Sequence, residues 1–354
     1  MEIRDLRQEI DQVDHQILEL LNKRARIAKE IGMYKQRTTK SFFIPERESQ
    51  VYSKLSAANK GPLPDKSLQA IYREIISASR ALEKPLTIAY WGPPATNTHM
   101  ASIRKFGSSC DFIPLDAIPD VFGEVEREHA DYGVVPIENS TEGVINHTLD
   151  TFLASKLKIC SEVYLPITHN LLSKADDLSQ VKRIYAIPTA TAQCRSWLRE
   201  NLQDVEIMDV STTAKGAQLC ASEPASAAIG TALAAEVYDL NLLAEHIEDN
   251  PQNRTRFLVI GFNEPAPSGK DKTSIMFSVQ HKAGSLYRAM SVFEKYDINL
   301  TMIESRPTKL TPWEYVFFID CQGHIKDQPI QKALASLQEH TLFVTVLGSY
   351  PEAE

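Results

Sequence analysis

Apolar residues at positions 3, 6, 10, 13, 17, 20, 27, 31 and 34 recur in steps of three, four and seven, which predicts one long helix over 3–35 with a single buried seam. Two shorter helical patterns follow at about 45–59 and 65–83, the second running through Leu68, Ile71, Ile75, Ser79 and Leu82. After Lys84-Pro85 the period changes. Apolar runs at 86–90, 111–114, 132–137, 159–165, 183–187, 206–210, 227–229 and 256–260 alternate with helical stretches, an α/β pattern expected to form two lobes. The segment NEPAPSGKDK (263–272) has the composition of a linker. Beyond it the chain reads β-α-β-β-α-β, the order of a ferredoxin-like unit. Three modules are therefore expected: helical over 1–84, two-lobed α/β over 86–262, and a small α/β unit over 273–354.

Composition narrows the function classes. The formal charge of -8 argues against a nucleic-acid partner, which needs a basic face, but leaves room for a local cationic pocket. MEIRDLRQEID lacks the apolar core of a signal peptide, and no run approaches the roughly 18 apolar residues of a membrane span. The five cysteines are scattered with no C-x-x-C pair, which points to free thiols and a cytoplasmic setting. The nine histidines show no metal-ligand spacing, and there is no phosphate loop or dinucleotide fingerprint. No metal and no cofactor are expected.

One residue breaks the helical seam: Arg24. A guanidinium on an apolar stripe is costly unless an anion meets it. Lys35 projects from nearly the same face, close to three turns on. Arg7 lies 17 residues before Arg24, roughly 25 Å along the axis, so the two cannot touch one small ligand within a chain. If Arg7 serves a site, it serves a partner's, and the two shorter helices cannot cover so long a rod alone. A dimer or higher assembly is expected. Arg47, Glu48, Ser79 and Glu83 also fall on candidate inward faces. Charged helix residues are more often solvated surface, and Arg24 is the one for which that reading is weakest.

LRQEIDQVDHQILELLNKR (6–24), followed by Lys35 and by Arg47-Glu48, resembles the all-helical chorismate mutases over the whole module. The resemblance assigns Arg24, Lys35 and Arg47 to substrate contacts in one subunit and Arg7 to the other. It gives Glu48 the substrate hydroxyl and Ser79 a carboxylate. A pericyclic rearrangement needs the reactive conformer held and charge on the breaking ether oxygen stabilised. Lys35 is the expected donor to that oxygen. Glu83, where some members have Gln, must be protonated to donate as well, so mutase activity is expected to fall as pH rises. Ile44 stands where the family often has Asp.

In the middle module, WGPPATNTH, ENSTEG and the segment around Asn253–Phe257 are polar loops beyond strand ends, where open α/β sheets bind ligands. ADYGVVPIENSTEG, INHTLD, LPITHNLL, AQCRSWL and NRTRFLVIG resemble prephenate dehydratases, in order, over about 86–262. Glu138, Asn139, Gln193 and Thr255 fall on matching positions, with Ser140 beside them. Loss of the ring hydroxyl with decarboxylation needs a proton or hydrogen bond delivered to the leaving hydroxyl. Thr255 is the expected partner. Arg256 points the other way if both lie in a strand and is given no contact. Two positions depart from the family: Ala186 where a substrate-contacting serine is usual, and Pro94-Ala95 where Gly before Thr is common.

The last module resembles the regulatory ACT domain, through AGSL (283–286), INLT, ESRP (304–307) and the closing LGSYP. Phenylalanine is implied where Gly284, Ser285 and Leu286 of one subunit meet Glu304, Ser305, Arg306 and Pro307 of another. Ala283 replaces a usual Pro. Taken together, the expectation is a bifunctional chorismate mutase–prephenate dehydratase inhibited by phenylalanine. Two alternatives stay open: a mutase with an altered second step (arogenate dehydration or prephenate decarboxylation), and a non-catalytic amino-acid sensor.

Overall fold

The computed structural model of the chain describes residues 3–38, 43–308 and 314–353. α1 (Ile3–Thr38) is one helix of 36 residues, about 54 Å long. α2 (Pro45–Ala58) begins on a proline, which suits the first helical turn, and α3 (Asp65–Glu83) lies along the C-terminal part of α1. Gly32 permits that approach, because a Cβ there would meet Glu83 Cγ at 2.7 Å. The seam of α1 stays open along most of its length. Ile3, Ile10 and Leu20 are 71%, 59% and 64% exposed, and Leu6, Val13 and Ile17 are exposed beside them.

The middle module builds its first lobe from β1 (Thr87–Trp91), α4 (Asn97–Phe106), β2 (Asp111–Leu115), α5 (Ile118–Glu126), β3 (Tyr132–Asn139), the two-residue β4 (Gly143–Val144), α6 (Asn146–Phe152) and β5 (Lys158–Pro166). The second lobe holds β6 (Asn170–Ser173), β7 (Arg183–Ala186), α7 (Pro188–Gln193), α8 (Arg195–Asn201), β8 (Glu206–Asp209), α9 (Thr213–Ser222), β9 (Ser226–Gly230), α10 (Ala232–Tyr238) and β10 (Asn241–Ala244). The chain then returns to the first lobe through β11 (Arg254–Gly261). The sheets run β2-β1-β3-β11-β5 and β10-β6-β9-β7-β8. β11 is antiparallel to both neighbours, so its sides face two different environments between β3 and β5. The strands β4, β6 and β10 go beyond the sequence expectation; they are short, and their apolar content is too brief to set a period.

The C-terminal module follows the expected order: β12 (Asp271–Ser278), α11 (Ser285–Lys295), β13 (Leu300–Pro307), β14 (Tyr315–Gln322), α12 (Gln328–Gln338) and β15 (Phe343–Pro351), with sheet order β13-β14-β12-β15. One sheet face packs on α11 and α12 through Ile275, Phe277 and Ile319. The other is sealed to the first lobe: Met276, Val316, Phe318, Leu347 and Tyr350 share one core with Ile137, Leu149, Ile159 and Leu258. The segment expected as a linker over 263–272 is therefore shorter, since β12 begins at Asp271, and it joins two units with a common core rather than tethering a free one.

Candidate active sites

Between the two lobes a chain of amides converges on Thr255. Asn139 ends β3 directly opposite Thr255 on β11, and its Nδ2 donates to Thr255 Oγ1 at 2.8 Å and to Asn253 Oδ1 at 2.9 Å. The orientation of this amide is fixed by the backbone, because its Oδ1 accepts from the Thr141 and Glu142 N–H groups at 2.9 and 3.0 Å. Thr255 Oγ1 thus acts as acceptor toward Asn139, and its own O–H remains to donate elsewhere. Ser140 Oγ donates to Asn253 Oδ1 and accepts from the Arg254 N–H. Asn253 Nδ2 reaches Gln193 Oε1 at 3.3 Å, carrying the network to α7 in the second lobe. Gln193 is held from two sides, by Glu142 Oε1 at 2.9 Å and by His169 Nε2 at 2.8 Å. A cavity of about 500 Å³ lies beside it, lined among others by Thr141, Glu142, Gln193, Asp249 and Asn253. Asn139, Ser140, Gln193 and Thr255 are thus brought together as the sequence implied. Asn253, His169 and Glu142 were missed, although they sit inside the NRTRF, LPITHN and ENSTEG segments.

Glu138 does not join this group. Side chains alternate along a strand, and Glu138 pairs in register with Arg256, not with Thr255. On that opposite face Arg256 is 4% exposed and bonds Glu162 at 2.6 Å, Asp320 at 2.5 Å and the Tyr350 hydroxyl at 2.9 Å. Lys272 adds a second cation 3.0 Å from Glu162. Burial pushes the Glu162 carboxyl up, but Arg256, Lys272 and the Ala353 N–H outweigh it and hold the group below the ordinary glutamate range. Consecutive residues of one strand therefore serve the interlobe cleft and the seam with the C-terminal module.

Ala95 adopts φ +69° while fully buried, a left-handed conformation that a Cβ disfavours. Its carbonyl accepts from Thr231 Oγ1 of the second lobe at 2.8 Å. Ala186 is fully buried in the second-lobe core, packed with Ile184, Ala190 and Cys194.

In the helical module the structure pairs α1 with α3. Arg24 Nη1 donates to Ser79 Oγ, which itself donates to the Ile75 carbonyl at 2.7 Å. Three turns further along α1 and one turn further along α3, Lys35 Nζ lies 3.2 Å from Glu83 Oε2. A cation, a hydroxyl, an ammonium and a carboxyl thus form a polar line in the groove. Arg47 is exposed. Glu48 is nearby but turned to the next face of α3, where Arg80 Nη1 holds its Oε1 at 2.8 Å. Arg7 is exposed on the open stretch of α1, far from the Arg24–Ser79 pair.

Alternation also divides the ESRP stretch of β13. Ser305 pairs with Phe317, on the helix-covered side, while Glu304 and Arg306 pair with Phe318 and Val316, which face the dehydratase-like body. Arg306 is committed there to a bidentate pair with Asp150 of α6, at 2.8 and 3.1 Å. Gly284 caps α11 at φ +79°, and Ser285 and Leu286 open that helix. A cavity of about 600 Å³ lies against this turn, lined by Ala283, Ser285, Leu286, Tyr315, Phe317 and Leu342 among others. Of the seven residues expected around phenylalanine, Ser285 and Leu286 line this cavity, and Arg306 is directed away from it.

Three family models match the chain: chorismate mutase type II over residues 6–84, prephenate dehydratase over 88–265, and the ACT domain over 273–339. A bifunctional chorismate mutase/prephenate dehydratase of Aquifex aeolicus is 48% identical, covering 99% of this chain and 98% of its own. A protein of the same description from Pseudomonas aeruginosa is 43% identical over the same shares. Among solved structures, the prephenate dehydratase of Arthrobacter aurescens in complex with L-Phe superposes with a TM-score of 0.71 at 35% identity, covering 76% of this chain and 90% of that one.

Proposed function

The chain belongs to the bifunctional chorismate mutase/prephenate dehydratase family, and from that premise we propose how its residues divide the two reactions. It rearranges chorismate to prephenate and converts prephenate to phenylpyruvate. In the first step Arg24 and Ser79 receive a substrate carboxylate. Lys35 and Glu83 close on the ether oxygen, while Glu48 takes the hydroxyl and Arg47 adds a cation. Arg7 of a second subunit completes the site, a reading supported by the open apolar seam that carries it. No group is required to attack the substrate; the site holds the folded conformer and stabilises charge on the breaking C–O bond.

The second step is carried by the orientation of the Asn139 amide. With Thr255 Oγ1 accepting from Asn139, the Thr255 O–H points its proton at the leaving ring hydroxyl. The carboxylate leaves as CO₂, its bonding pair enters the ring, and the hydroxyl departs as water with one proton taken up from solvent and delivered through the Thr255 O–H, which is regenerated as it donates. Gln193, reached through Asn253 from across the cleft, reports lobe closure to Thr255. Ser140 holds Asn253 in place. Glu138, on the far face, supports the strand rather than the reaction.

Phenylalanine, which the Arthrobacter aurescens protein binds, fits the Gly284 turn of one subunit against β13 of another. β13 is an edge strand whose outer side has no strand partner among the described residues. Five unpaired cysteines support a cytoplasmic setting. Incubating the purified protein with chorismate and following products by ultraviolet absorbance and mass tests the reading. Phenylpyruvate is the expected product. Prephenate accumulating unconverted contradicts the assignment around Thr255, and no turnover contradicts both.

A further inference from the structure

Arg80 is a residue that neither the mutase pattern nor the dehydratase pattern accounts for. It sits on α3 directly after Ser79, is 5% exposed, and packs against the adjoining rings of Phe43 and Phe106, at 5.4 and 5.7 Å from their centroids. Its two terminal nitrogens serve different modules. Nη1 holds Glu48 Oε1 at 2.8 Å, and Nη2 donates to the Phe106 carbonyl at 2.8 Å. Phe106 is the last residue of α4, whose other end is capped by Thr96 in the first loop of the dehydratase cleft. One helix of ten residues, about 15 Å long, therefore runs from the second active site to the guanidinium that grips a residue of the first.

We propose that Arg80 is a positioning residue of the mutase step, aligning the Glu48 carboxylate for the substrate hydroxyl and anchoring that alignment on the dehydratase body through α4. This rests on the reading that Glu48 takes the hydroxyl. A guanidinium held by the Phe106 carbonyl and packed against two adjoining aromatic rings is a rigid holder, in contrast to a solvated lysine or a water. With Oε1 occupied by Arg80, Oε2 of Glu48 is left as the acceptor toward substrate. The same contact opposes the effect of burial on Glu48. Burial raises its carboxyl above the ordinary value of 4.5, and Arg80 is the foremost opposing charge, followed by Lys105 of α4 and Lys35 of α1; Tyr52 is the titratable neighbour on α2 itself. Without Arg80 the carboxyl keeps its proton to higher pH, and a protonated Glu48 has one oxygen fewer to accept with.

The test uses the full chain with Arg80→Met, Arg80→Lys and Glu48→Gln, each assayed separately on chorismate and on prephenate across pH 5–9. Retained turnover of prephenate reports that the variant is folded. For Arg80→Met the expected result is a loss of about tenfold to a hundredfold in mutase kcat/KM, an acid limb moved up by about one pH unit, and partial recovery in Arg80→Lys. Glu48→Gln is expected to lose mutase activity and the acid limb together. If Glu48→Gln is impaired while both Arg80 variants keep the wild-type mutase rate and pH profile, the positioning role is wrong and the reading of Glu48 stands. If Glu48→Gln is itself unaffected, the underlying reading fails and the proposal with it. If Arg80→Met fails to fold, Arg80→Lys decides: a wild-type pH profile with an unchanged rate overturns the proposal, and a shifted limb supports it.

Discussion

The two catalytic regions of this chain are finished to different degrees. The dehydratase cleft draws its polar network from one polypeptide: Asn139, Ser140, Gln193, Asn253 and Thr255 are joined to one another from β3, β11, α7 and the strand-end loops. The helical module is left open along α1. Its polar line of Arg24, Ser79, Lys35 and Glu83 is assembled, yet the seam bearing Arg7 faces solvent, with its apolar residues from Ile3 to Leu20 between 44% and 71% exposed. A core that is closed needs no partner, whereas a stripe of isoleucine and leucine left in water is a binding surface. The contrast supports the proposal that this chain holds a self-sufficient site and a shared one, a difference read from burial of the scaffold rather than from the catalytic residues.

Changes that separate the two regions give the sharpest predictions. The largest effect is expected from Thr255→Val, which keeps the shape and removes the donor. Dehydratase kcat should fall by about 100- to 1,000-fold, with mutase turnover of chorismate left within about twofold. A comparable fall in both activities would mean that the regions are not separable in this way.

Arg256→Met probes the other face of the same strand. It leaves Glu162 and Asp320 short of their cation in a buried seam, and should destabilise the dehydratase body by about 3–5 kcal/mol, read by denaturant unfolding. The helical module should be indifferent to it. The same seam sets an acid limit. Because the folded carboxyl of Glu162 lies below its unfolded value of 4.5, its contribution is fully present above about 4.5 and is lost as pH falls from there through the folded value. Acid unfolding that begins at the C-terminal seam, followed by near-ultraviolet signal or hydrogen exchange, is the expected outcome; loss beginning above pH 6 would argue against Glu162 as its source. The smallest effect is Ala95→Gly. Relieving a left-handed alanine should stabilise the cleft loop by less than about 1 kcal/mol after the added freedom of the unfolded chain is counted, with a small change in prephenate KM and none in the mutase.

The sequence made the local elements and the apolar faces legible, and made cross-module contacts illegible. α1, α2 and α3 announced themselves through their period, and the seam residue Arg24 was visible as a break in it. Ser79 and Glu83 followed from i, i+4 spacing on the same helix. Side-chain direction in strands was used unevenly. Alternation separated Arg256 from Thr255 correctly, yet the same rule, applied to Glu138-Asn139 and to Glu304–Pro307, would have separated Glu138 and Arg306 from their supposed sites. Asn253, His169 and Arg80 owe their importance to partners distant in sequence, Gln193 for the first two and Phe106 and Glu48 for the third, and no periodic pattern encodes such pairs.

The central claim, a mutase site shared between chains beside a dehydratase site contained in one, is tested most directly by subunit mixing. Arg7→Ala and Lys35→Ala proteins, each expected to be inactive on chorismate, are unfolded together, refolded and assayed. Random pairing restores one whole site in each mixed dimer, so roughly a quarter of the mutase sites should regain activity. A parallel mixture of Thr255→Val and Gln193→Ala chains should regain no dehydratase activity. Mixed dimers that form, as shown by mass, yet stay inactive on chorismate would contradict the account.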